Sequence, residues 1–71
     1  MTSVLDRAVA AVEDGFAECV KSEFTALFTN CAGGEPLATA LEKSTKGLGK
    51  LKAARVGALA LISDIFKDDP A

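Results

Sequence analysis

Asn30-Cys31-Ala32-Gly33-Gly34-Glu35-Pro36 divides two long stretches that each carry apolar residues at steps of three and four. Asn and Gly close helix C-termini because they tolerate the left-handed backbone, and Pro fits the first turn of a helix, where its missing N–H has no intrahelical partner anyway. The segment therefore reads as a stop followed by a start. A link of about five residues forces neighbouring helices to run antiparallel.

Upstream, Ser3 and Asp6 have capping-box spacing, which starts helix 1 at Val4. Leu5, Val9, Val12, Phe16, Val20, Phe24, Leu27 and Cys31 then fall on one side of a helix turning 100° per residue. Downstream, Leu37, Leu41, Leu48, Leu51, Leu59, Ile62 and Phe66 form the corresponding stripe. The expected fold is all-α: an antiparallel helical hairpin with helix 1 about 4–30, a turn over 31–35 and helix 2 about 36–67, all within a single small domain, 1–71. Ser44, Gly47 and Gly49 weaken the second helix, each Gly costing up to about 1 kcal/mol relative to Ala. A kink or break near Thr45–Gly49, giving three helices, is the alternative. Asp68, Asp69 and Pro70 are expected to end the helix.

Charge follows the same division. Residues 1–42 hold seven acids and two bases, whereas 43–63 hold five bases and no acid. With facing residues summing to about 67 in an antiparallel pair, Glu23 should oppose Lys43 and Glu13 should lie near Arg55. Arg55 falls between Leu51 and Leu59 on the apolar stripe, where an unpaired guanidinium would cost several kcal/mol. It must pair with Glu13 or extend its head to water along its methylene stem.

Size and composition exclude several functions. A chain of 71 residues shields a small share of its apolar surface, so self-association or a partner is the default. The net charge of −2 argues against a general nucleic-acid binder. Asp6 and Arg7 interrupt the apolar run that a secretory signal would need, and the uncharged stretch 24–34 is too short to span a bilayer, so a cytoplasmic location is expected. The chain has no His, which removes Cys-His catalysis and the usual zinc sites; no cofactor, metal or small-molecule substrate is expected, nor any catalytic residue. Cys19 and Cys31 lie roughly 18 Å apart on a continuous helix, too far for an internal disulfide, and read as small buried hydrophobes. Lys43, Lys46 and Lys50 share a face that reads as solvated, and Lys46-Gly47-Leu48-Gly49-Lys50 lacks the spacing of a phosphate loop.

A two-helix hairpin covers one side of each helix, which leaves Phe24, Phe28, Val56 and Leu61 at the stripe edges uncovered. With Leu51, Val56, Leu59, Ile62 and Phe66, the two Phe side chains are the expected partner-binding residues. The partner would be a second copy, completing a helical bundle as a homodimer, or a larger protein subunit. The function expected is a small non-enzymatic interaction module: an adaptor, assembly factor or chaperone subunit. Two other classes are a membrane-surface-active amphipathic helix, resting on the cationic segment 43–67, and a small dimeric nucleic-acid-binding regulator.

The layout, with Gly33-Gly34-Glu35-Pro36 at the turn and the apolar run Leu59 to Phe66 near the end, is similar to that of the small helical-hairpin co-chaperones of type III secretion needle subunits. The resemblance covers the general outline: the length, the Gly/Pro turn between two helices and the apolar end of the second helix. The Gly-rich middle of helix 2 departs from it.

Overall fold

The computed structural model describes residues 3–67 as two helices, α1 (Val4–Ala32) and α2 (Leu37–Ile65), packed as an antiparallel hairpin. The chain measures 53 × 20 × 9 Å, a plate one helix thick. α2 ends at Ile65, two residues before the expected end at 67, with Phe66 as its C-cap and the Phe66 N–H meeting the Ile62 carbonyl at 2.9 Å. Asp68, Asp69 and Pro70, read as the stop, lie outside the described residues.

Ser3 caps α1: its Oγ accepts the Asp6 N–H at 3.0 Å. At the other end the chain makes a Schellman turn. The Glu35 N–H reaches back to the Asn30 carbonyl at 3.0 Å and the Gly34 N–H to the Cys31 carbonyl at 3.1 Å. Gly34, with φ of 102°, supplies the left-handed residue, while Gly33 stays right-handed at φ −79°. This motif carries α1 two residues beyond the expected end. Pro36 stands before the helix as the N-cap of α2, one position ahead of its expected place, with its carbonyl accepting the Ala40 N–H at 3.0 Å.

α2 is unbroken through Thr45–Gly49. Thr45 sends its hydroxyl back to the Leu41 carbonyl at 2.8 Å, so its polar group is met within the helix. Gly47 has a use in the packing: a Cβ there would lie 2.6 Å from the Glu23 carboxylate, which rests against the bare backbone. Glu23 thus opposes Gly47 and not Lys43. Lys43 Nζ instead lies 3.0 Å from Glu35 Oε1, a charge contact without hydrogen-bond geometry.

The seam between the helices differs from the expected stripes near the turn. Ala40 and Ser44 are the buried residues there, Ala40 being only 1% exposed, while Leu37 and Leu41 face water. The turn joins the helices through a short link that holds them close, and only small side chains fit between. Farther out, Leu5, Val12, Phe16, Val20 and Leu27 of α1 are half-buried, as are Leu48, Leu51, Leu59, Ile62 and Phe66 on the α2 side.

Candidate functional site

The seam residues repeat every eleven positions: Leu5, Phe16 and Leu27 on α1; Ala40, Leu51 and Ile62 on α2; and Ser44, Arg55 and Phe66 beside them. Eleven residues in three turns is 3.67 per turn, close to the natural 3.6, so one row of each helix stays on the seam for its whole length. The other rows are left on the two broad sides of the plate. Residues about 65–115° to one side of the seam on α1 include Phe24 and Phe28; their counterparts on α2 include Leu41 and Val56. The antiparallel arrangement puts these rows on the same broad side.

That side carries Val9, Phe24, Phe28, Leu37, Leu41 and Val56, all exposed; Phe28 is 69% and Leu37 61% accessible. By the contacts of Glu13 with Arg55 and Glu23 with Gly47, Phe28 stands level with Leu41, with Phe24 and Leu37 about one turn to either side, toward the turn end of the molecule. The opposite side holds an open groove of about 240 Å³ lined by small residues, among them Ala11, Gly15, Cys19, Ala54 and Ala58, with Leu61 and Ile65 exposed beyond it. Cys19 is exposed in this groove and is not the buried hydrophobe the sequence suggested; Cys31 is half-buried, and both are free thiols.

Of the expected partner-binding residues, Phe24, Phe28 and Val56 lie on the open apolar side. Leu51, Leu59, Ile62 and Phe66 are half-buried along the seam, because their stripe is the one that α1 covers. Leu37 and Leu41, read as seam residues, are on the open side. The sequence signal that separates them is the small-residue row Ala40, Ser44, Gly47, which marks where the backbones come closest.

Arg55 Nε donates to Glu13 Oε1 at 2.7 Å, and its guanidinium carbon stands 5.5 Å from the centre of the Phe16 ring. Both members stay partly wet, at 36% and 42% side-chain exposure. The arginine therefore pairs and reaches solvent at once, and covers an aromatic face while doing so. At this exposure the ion pair is worth about 0.2–1 kcal/mol, and the cation–π contact about as much.

Lys46 reaches Glu42 at 3.5 Å across one helical turn, with both side chains mostly in water. Among the described residues no group of three or more His, Cys, Asp or Glu could hold a metal ion, and no helix is long and apolar enough to cross a membrane.

No protein-family model, curated protein or solved structure matches the chain.

Proposed function

We propose that this chain is a small non-enzymatic interaction module, an adaptor, assembly factor or chaperone subunit, that works by burying an apolar helical face against another protein surface. The observation that carries this reading is the concentration of Val9, Phe24, Phe28, Leu37, Leu41 and Val56 on one broad side. Large apolar side chains gathered in one patch are uncommon on a soluble monomer and mark contact surfaces. The surface area agrees: the chain exposes 5185 Å², whereas a compact monomer of 7.3 kDa exposes about 4,200 Å².

The test replaces Phe28 with a photo-crosslinking phenylalanine analogue in the native host. A protein adduct at this position, absent when the same analogue replaces Thr25 on the outer side of α1, supports the reading. Absence of any protein adduct from Phe28 overturns it.

A further inference from the structure

Within the reading that the chain is an interaction module, we infer that the occupant of the Phe24–Phe28–Leu41–Val56 side is a second copy of this chain, lying alongside in the same direction so that both turns meet at one end of a four-helix bundle. Three observations lead there: the area of the face, the level at which its large side chains stand, and the charge of each helix.

The broad side of the plate is 53 by 20 Å, a footprint of about 1,000 Å². A stable interface takes about 800 Å² from each partner, so one such face meeting itself suffices. Its excess of exposed surface over a compact monomer, about 1,000 Å², is of the same size. Self-pairing of one face generates a two-fold axis.

The axis has two possible directions, and charge decides between them. α1 carries five acids and two bases, a net −3; α2 carries five bases and two acids, a net +3. An axis across the helices stacks α1 on α1 and α2 on α2, which sets like charge over like along the length of the bundle. An axis along the helices stacks each α1 on the second copy's α2. Packed helices lie 8–10 Å apart, about one Debye length at physiological salt, so this adjacency is felt and more distant ones are not. The favoured direction also keeps levels matched. Glu13 with Arg55 and Glu23 with Gly47 set the register of the hairpin, and by it Phe28 of one copy stands beside Leu41 of the other, with Phe24 and Leu37 about one turn to either side.

Light scattering over a dilution series reads the assembly, and electron–electron spin distances read its direction. A label at Ala32→Cys, in a Cys19→Ser/Cys31→Ser background, marks the turn end. The expected results are a mass about twice the 7.3 kDa of one chain and a label separation below about 25 Å, two to three helix spacings. Phe28→Lys and Val56→Lys should each weaken association at least tenfold, while Thr25→Lys on the outer side leaves it unchanged. Phe28 and Val56 are largely exposed, 69% and 59%, so neither replacement disturbs the seam.

A folded monomer at every concentration overturns the proposal, as does a dimer indifferent to both substitutions. Labels separated by nearly the 53 Å length of the plate overturn its direction. If the photo-adduct from Phe28 is to a different protein and the purified chain stays monomeric, the dimer fails and the interaction reading stands; if no adduct forms at all, both fail.

Discussion

Gly47 and Gly49 sit two positions apart in α2, and one added methyl group has different consequences at each. Around Gly49 the space is open, so Gly49→Ala gains helix propensity without a steric cost; denaturant unfolding should show about 0.5–1 kcal/mol of added stability. At Gly47 the methyl group meets the Glu23 carboxylate, which has to swing away. Gly47→Ala should therefore gain less than Gly49→Ala, and adding Glu23→Ala should recover the difference. The Glu13–Arg55 contact makes a separate prediction. A double-mutant cycle with Glu13→Leu and Arg55→Leu should return a coupling energy of about 0.5–1 kcal/mol. A coupling indistinguishable from zero would mean that the guanidinium is held by Phe16 and water alone.

At the scale of the elements, the ends of α1 are fixed by local chemistry and should respond to single changes. Ser3→Ala removes the acceptor for the Asp6 N–H and should cost about 1 kcal/mol. Gly34→Ala forces a Cβ into a backbone of φ 102° and should cost about 1–2 kcal/mol, read as a lower thermal midpoint. These signals are legible in sequence because they are local: Ser3, the Gly-Gly pair and Pro36 each act within a few residues of themselves. The positions of Leu37 and Leu41 were not legible by the same means. A large apolar residue on a helical stripe reads as interior, yet the separation of the helices near the turn decides whether it fits. Spacing alone also favoured Phe24 over Glu23 for the seam, and only the absent side chain of Gly47 makes room for the carboxylate. The pairing of Glu13 with Arg55 could be anticipated because charge complementarity and register point to the same two residues.

At the scale of the whole molecule, the exposed side decides stability as much as the seam does. If association buries that side, the thermal midpoint rises with protein concentration, because a partner that binds only the folded form stabilises it by mass action. Calorimetry over a hundredfold range of concentration should show this shift, and Phe28→Lys should abolish it. A plate 9 Å thick also has no layer of protein between its backbone and water. Each amide of the lone chain is screened by its own helix and one neighbour, so deuterium should enter by fraying and by parting of the two helices, with no slowly exchanging nucleus. In an assembly the amides around Phe24 and Leu41 would become the last to exchange, and a centre of protection would form where the single chain has an outer wall.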